Sequence, residues 1–385
     1  MVGREGDIGA FSRTLRGMRA AILEQVGQAM VVYDDVEIEE PHAGEVAVTV
    51  THCGVCHSDL SLIDGDLPAM CPVVLGHEAA GIVAAVGPGV TTLVVGDHVV
   101  LTPCPPCGHC YFCVRGEWSV CTNSLALMTS THADGGTRLS HRGQTVYRGV
   151  GVAAFAETVI TQETGAVKIS PDVPLDIACV LGCAVQTGVG AVINTAKVEA
   201  GATVLVLGLG GIGLSIVQGA RLAGAAQIIV SDPVAERRAL ALKLGATQAI
   251  DPTEDDPVAV SAQLTEGGIG VDYAFDAVGR ATLVEAGINA TRFGGTTIMV
   301  GVPPIDQALH YPSATIFAAT GKKLLGCLLG GANSLHEVPR LVALWQNGRL
   351  DLEALITGRR PLHELNEAVD DLRASRGVRT VIALG

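Results

Sequence analysis

The sequence predicts an α/β protein of two parts, a mostly β half followed by a doubly wound parallel-sheet unit. Three observations carry this. Residues 18–100 break into short β-branched or alternating runs separated by turns, with no repeated strand–helix pattern. From Pro174 onward, short apolar runs alternate with helical periodicity. The pivot is 203–213, TVLVLGLGGIG, where a buried-strand run stops at a glycine and a helical pattern takes over.

That pivot has a chemical meaning. Gly208-Leu209-Gly210-Gly211-Ile212-Gly213 satisfies G-x-G-x-x-G, followed by a helical pattern over 214–222 and a second apolar run over 227–230. The glycines give a tight turn, room for backbone amides to approach a pyrophosphate, and close packing of helix on strand. The helix then points its positive end at the phosphates. Asp232 stands nineteen residues after Gly213, where a carboxylate would hydrogen-bond the adenosine ribose and repel a 2′-phosphate. A bare glycine pattern is also what an ordinary tight turn looks like. With strand, helix and acid all in place, dinucleotide binding is expected, with NAD preferred to NADP.

Composition bounds the rest. At 385 residues, 48% hydrophobic and only 17% charged, the chain is long enough for two cores and too apolar for disorder. A net charge of −14 without a basic run argues against nucleic acid and anionic membranes as partners. Residues 200–220 carry no charge, but a glycine turn breaks the run, so strand–turn–helix displaces a membrane span. Residues 1–17 lack an apolar core, read as a flexible extension rather than a secretory signal, and leave a cytoplasmic location expected.

In chain order, strands are expected over 19–25, 31–37, 45–52, 76–86 and 97–102. Residues 103–123, dense in Cys, Pro and Gly, should form a loop held by a metal, and 129–147 is a polar connection. Residues 176–195 resemble a helix pair. Strands follow at 248–250, 273–276 and 296–300, helices at 333–347 and 361–374, and a last strand at 379–384. No internal repeat or low-complexity tract is present.

Cysteine spacing gives the strongest signal. Cys107, Cys110, Cys113 and Cys121 follow C-x2-C-x2-C-x7-C, and four thiolates can close a tetrahedral zinc site. Free surface thiols or a disulfide are the alternatives, and neither explains four thiols in a segment without a core. Cys104 is a further thiol that could substitute. A closed four-cysteine site has no open position, so its zinc would be structural.

Cys56 in GVCHSD, His77 in GHEAAG and Cys183 in the LGC-x3-TG segment each pass alone for ordinary buried residues. Taken in order with the cysteine loop and GLGGIG, these motifs resemble the zinc-dependent medium-chain alcohol dehydrogenase family, from about Met18 to the C-terminus. The long 123–149 connection is more similar to the liver-type and glutathione–formaldehyde dehydrogenase branch. The resemblance implies a GroES-like, mostly β catalytic domain from 18–184 and 328–385, carrying the structural zinc lobe 103–123. A Rossmann domain, 185–327, would be inserted between them, and the subunits would pair as a homodimer, with a tetramer as the alternative.

It also implies roles. Cys56, His77 and Cys183 would hold a catalytic zinc with one position open, which lowers the pKa of an alcohol so that it can lose hydride to the nicotinamide. Ser58 would begin a proton relay, with Asp59 and Glu78 beside the ligands. His57 and Arg379 would lie near the coenzyme pyrophosphate and Arg237 near the adenosine ribose. Thr187, Val300, Val302 and Leu329 would line the nicotinamide side, where core packing looks the same in sequence. For Arg237, Arg379, Asp59 and Glu78 a solvated-surface role is the alternative.

Two departures stand out. Ser61 occupies the position where many relatives end the relay in a histidine, so the proton would leave through the ribose hydroxyl, His57 or water. Thr102-Pro103-Cys104 replaces a bulky aromatic of the pocket wall, and with six Phe, two Trp and five Tyr in the chain, aliphatics such as Leu67, Val302 and Leu328 are expected to line it. The expected activity is reversible alcohol oxidation with NAD. Oxidation of a formaldehyde–thiol adduct such as S-hydroxymethyl-glutathione is the close alternative, and a non-catalytic dinucleotide-binding protein the alternative of a different class. A polyol dehydrogenase fits less well, because Cys183 stands where that branch has a carboxylate.

Overall fold

The computed structural model describes residues 16–311 and 313–385. The expected extension lies outside them except for its last two residues. Those join the first strand, Arg16–Leu23, which therefore begins before Met18.

Two antiparallel-rich sheets and one parallel sheet make up the molecule. The first runs Gln144–Thr145, Leu139–His141, Val31–Ile38, Arg16–Leu23, Val73–Val74, Tyr147–Arg148. The second runs Ala166–Lys168, His98–Leu101, Glu78–Val86, Glu45–Gly54, Arg379–Ala383, Ile356–Pro361, with Thr158–Gln162 also paired to Glu45–Gly54. In Glu45–Gly54, a run of β-branched residues is buried almost throughout because both sheet neighbours and facing elements cover it.

The third sheet is fully parallel, in the order Gln248–Ile250, Gln227–Ser231, Thr203–Leu207, Val271–Asp276, Thr291–Met299, Lys323–Gly326. Its first strand by sequence lies centrally and the order reverses there, which opens a crevice at the strands' C-terminal ends. Strand Thr203–Leu207 has no polar face because helices cover both sides of a parallel sheet. Burying each such Leu or Val stabilises by about 1.5–3 kcal/mol.

Helices Leu175–Ala178 and Ala184–Gly190, with the turns after each, connect the β part to the parallel sheet. One core runs through this junction, joining Val100 and Leu181 to Val206, Leu214 and Ile356. No single described helix is long and apolar enough to cross a membrane. The bent pair Leu175–Gly182 and Ala184–Ala196 passes on composition and is mostly buried in that core.

Three elements depart from the expected pattern. Residues 57–64 fold as a helix, His57–Asp64, that starts at Cys56 and ends at Gly65 in the left-handed region. The polar connection holds three short strands, including the hairpin Leu139–His141 with Gln144–Thr145. The segment Ile356–Pro361 is a parallel neighbour of the last strand, which itself returns to pair with Glu45–Gly54 (Ile382 opposite Cys53). Residues 103–123 contain only short 3-10 turns, as a loop without a core should.

Candidate active site and metal centres

Three chain segments bring Cys56, His77 and Cys183 together. Cys56 caps the helix His57–Asp64, His77 ends the loop before strand Glu78–Val86, and Cys183 sits at the break between two helical turns. All three are buried, and their ligand atoms lie within 4.8 Å of one another. Asp59 fixes two of them. One of its oxygens accepts from the Cys56 amide at 3.1 Å; the other accepts from the Gly76 amide at 2.9 Å and lies 3.2 Å from His77 Nδ1. With Nδ1–H directed at Asp59, the Nε2 lone pair faces the two sulfurs, and among the described residues that buried nitrogen has no other partner. Two soft thiols and an orphaned imidazole nitrogen are a donor set that suits zinc. Contact with Cys183 holds the Cys56 thiol well below its ordinary pKa, which favours the thiolate a metal needs. Ser58 Oγ lies 3.6 Å from Cys56 Sγ.

Glu78 lies behind this set. Its Oε1 accepts from the Ala184 amide at 2.8 Å, next to Cys183, and its Oε2 pairs with Arg379 Nε at 3.0 Å. Burial pushes its pKa up to about 7, against the pull of Arg379. Arg379 also donates through Nη1 to the Val55 carbonyl at 2.6 Å, and its Nη2 lies 2.5 Å from where a Cβ on Gly211 would sit. One guanidinium thus touches both the metal-ligand surroundings and the glycine turn.

The second cluster is the loop Cys107, Cys110, Cys113, Cys121, whose sulfurs also lie within 4.8 Å of one another. Backbone amides point at the sulfurs: Cys107 N to Cys121 Sγ at 3.2 Å, Cys110 N to Cys107 Sγ at 3.3 Å, and Asn123 N to Cys121 Sγ at 3.4 Å. Such N–H···S bonds stabilise thiolates, and the Cys113 amide leads the effects that pull Cys110 down to about 5. Cys104 is outside this group; burial pushes its thiol up to about 11. The four sulfurs fit a closed zinc site.

At the glycine turn, Gly208 has φ +91°, and a Cβ there would meet Val278 at 2.3 Å. At Gly213 an added Cβ would lie 1.9 Å from the Gly208 carbonyl, so helix Gly211–Ala223 can approach the turn only without a side chain. Gly210 is the N-cap and Ile212 lies in the first turn, leaving amides free to face an anion. Asp232 is buried and accepts from the Leu209 amide at 2.7 Å and the Val234 amide at 2.8 Å. Arg237 spends Nε and Nη2 on the carbonyls of Gly377 and Ser375, at 2.9 and 3.1 Å. Thr187, Val300 and Leu329 are buried, Val302 and Leu328 are exposed, and Leu67 is half-buried. The Ile305 amide donates to the Asp66 carbonyl at 3.1 Å, so the loop after Val302 closes on the turn before Leu67. His57 is exposed on its helix's first turn.

Two contributors escaped the sequence reading. Asp276, at the end of its strand, takes the Val278 amide at 3.0 Å and the Gly279 amide at 3.1 Å, holding the turn that packs on Gly208; only its place after a buried strand hints at this. A buried chain Thr102–Ser334–Gln186, with steps of 2.9 and 3.0 Å, ends where Gln186 Nε2 donates to the Gly182 carbonyl at 2.6 Å, one residue before Cys183. Nothing in sequence spacing signals that chain.

Residues 42–171 match the alcohol dehydrogenase GroES-like domain, and 211–346 the zinc-binding dehydrogenase family. S-(hydroxymethyl)glutathione dehydrogenase from Synechocystis is 36% identical, covering 94% of this chain and 99% of its own. The enzyme of that name from Escherichia coli O1:K1 is 37% identical with the same coverage. An alcohol dehydrogenase zinc-binding domain protein from Burkholderia ambifaria superposes with a TM-score of 0.90 at 36% identity, over 97% of this chain and 100% of its own. Benzyl alcohol dehydrogenase from Acinetobacter calcoaceticus superposes with a TM-score of 0.90 at 32% identity, over 96% and 100%.

Proposed function

The chain belongs to the zinc-dependent medium-chain alcohol dehydrogenase family, and we propose that it reversibly oxidises a primary or secondary alcohol with NAD as hydride acceptor. The observation that carries this is the buried Cys56–His77–Cys183 set, whose His77 Nε2 has no other partner among the described residues, with Arg379 reaching from beside it to the glycine turn. When bound, zinc supplies a Lewis acid that lowers the pKa of an alcohol, and the dinucleotide supplies the hydride acceptor.

The residues supply the rest. Asp59 orients His77, and Glu78 holds the Ala184 amide beside Cys183. Ser58, next to Cys56, takes the alcohol proton and passes it towards the ribose hydroxyl, the exposed His57 or water, since Ser61 offers no imidazole. The amides of Gly210–Gly213 and the Arg379 cation receive the pyrophosphate, and the Asp232 carboxylate favours NAD over NADP. Arg237 shapes the ribose side through its hold on 375–377, and Thr187, Val300, Val302 and Leu329 flank the nicotinamide. Cys107, Cys110, Cys113 and Cys121 hold a second, structural zinc.

This reading divides the chain into a catalytic domain, 18–184 with 328–385, and a coenzyme domain, 185–327. The outer edge of strand Lys323–Gly326, which no other described strand pairs with, and the exposed Ile305, Leu309 and Ile316 before it in sequence support a homodimer joined through that edge, a tetramer being the alternative. The absence of any single membrane-spanning helix among the described residues is compatible with a cytoplasmic location.

A second reading, oxidation of a formaldehyde–thiol adduct, is supported by the names of the two relatives at 36 and 37% identity. NADH formation decides between them, measured on primary, secondary and aromatic alcohols and on formaldehyde with and without glutathione. Turnover of simple alcohols without thiol supports the first reading; turnover only with formaldehyde plus glutathione replaces it with the second. No turnover on any of these, with zinc and NAD bound, would overturn both.

A further inference from the structure

Beside the four-cysteine loop lies a cavity of about 360 Å³, lined by Pro105 and from segments 122–135 and 148–162. It shares no lining residue with either metal-ligand set or with the glycine turn, and its size falls within the range of small-molecule sites.

Two arginines and two carboxylates stand around it, and the direct ion pairs fall unevenly between them. Arg138 is neutralised twice, by Glu45 at 2.8 and 3.1 Å and by Asp134 at 2.6 Å. Glu45 also takes the His42 amide at 2.9 Å and lies 3.4 Å from His132 Nδ1, so it reaches Arg148 only through its field, as Asp134 does. Arg148 lines the cavity and is buried, yet among the described residues no carboxylate pairs with it. Its Nη2 donates to the carbonyls of Gly151 at 2.7 Å and Ile160 at 3.1 Å, which satisfies geometry without cancelling charge. Burial depresses its pKa to about 10. His132, also on the cavity wall, is buried, and its Nε2 has no partner among the described residues. A buried guanidinium that no carboxylate touches directly is costly to desolvate, and an anion bound against it in the cavity lowers that cost.

We propose that this cavity is a second ligand site, separate from the catalytic cleft, for a small carboxylate with an apolar body. Arg148 takes the carboxylate, with Thr131, Thr161 and Gln162 as neighbouring polar groups. Pro105, Leu125 and Ala126 offer the apolar wall, which a bare phosphate would not use. Because Thr122 and Asn123 follow Cys121 directly and also line the cavity, an occupant braces the structural zinc loop against the strand Thr158–Gln162.

The test uses the zinc- and NAD-loaded enzyme and 4-bromobenzoate. Crystals soaked in it should show bromine anomalous density inside the cavity. In solution, saturable binding should weaken about tenfold or more in Arg148→Gln, the loss expected for a charge-assisted hydrogen bond. If Arg148→Gln does not fold, Thr161→Val with Thr131→Val carries the comparison, and the density carries the location. Bromine density only at the catalytic cleft with inhibition competitive against alcohol, inorganic phosphate binding the cavity more tightly than bromobenzoate, or unchanged affinity in the variants would each overturn the proposal.

Discussion

Arg379 Nε lies 3.0 Å from Glu78 Oε2, and both side chains are sealed from solvent. The pair joins the last strand of the chain to the residue after His77, and the remaining guanidinium nitrogens reach Val55 and the Gly211 region. Removing one partner of such a pair strands the other in a poorly solvated interior. Arg379→Met should therefore destabilise the fold by about 3–5 kcal/mol in urea titrations and raise the KM for coenzyme. Glu78→Gln, which keeps the Ala184 contact through its amide oxygen, should cost less. Equal stability of Arg379→Met and the parent would show that the pair does not tie the last strand to the start of strand Glu78–Val86.

Asp232 uses both carboxylate oxygens on backbone amides, so an alanine there removes charge and turn geometry together. Asp232→Asn separates them, since an amide oxygen can still accept from Leu209. Asp232→Ala should weaken NAD by about tenfold or more and lower the melting temperature. Asp232→Asn should narrow the NAD-over-NADP preference with a smaller change in stability. Dissociation constants for both dinucleotides and thermal melts read this, and an unchanged preference in Asn would remove the charge from the selectivity argument.

What was legible in the sequence was local. The glycine turn and the cysteine loop each sit within one short segment, and their spacing alone dictates the chemistry. Cys56, His77 and Cys183 are scattered, and only the resemblance joined them before the structure did. The helix His57–Asp64 was missed because short strands surround it and its apolar positions are few. The pairing of Arg379–Ala383 with Glu45–Gly54 is fixed by the whole core, which no periodicity within either strand records. His132 lies within the stretch that reads as polar connection and Arg148 directly after it, and only folding reveals that both are buried.

The two donor clusters should behave differently when broken. The parent should carry two zinc ions per subunit by elemental analysis. Cys183→Ala should lose one of them and its turnover, while NAD still binds, because Cys183 lies outside the glycine turn. Cys113→Ser should also lose one zinc, but its first effect should be on stability, since residues 103–123 have only 3-10 turns to fall back on. One zinc in the parent, or full turnover in Cys183→Ala, would contradict these assignments.

His132 sets a further acid-side dependence. Burial leads the effects that depress its pKa to about 2, with the cations Arg148 and Arg138 adding to it against the opposing pull of Asp134 and of Glu45 3.4 Å from Nδ1. The folded chain therefore keeps this imidazole neutral, whereas the unfolded chain protonates it below about pH 6.5. As pH falls through 6.5 the unfolded state binds a proton that the folded state refuses, so stability is lost, by on the order of 2 kcal/mol at pH 5. His132→Gln should flatten that part of the profile in urea titrations between pH 7 and 5. Loss of zinc from the thiolates acts on parent and variant alike, so the difference between their profiles isolates the imidazole. Parallel profiles would mean that His132 takes up its proton without unfolding.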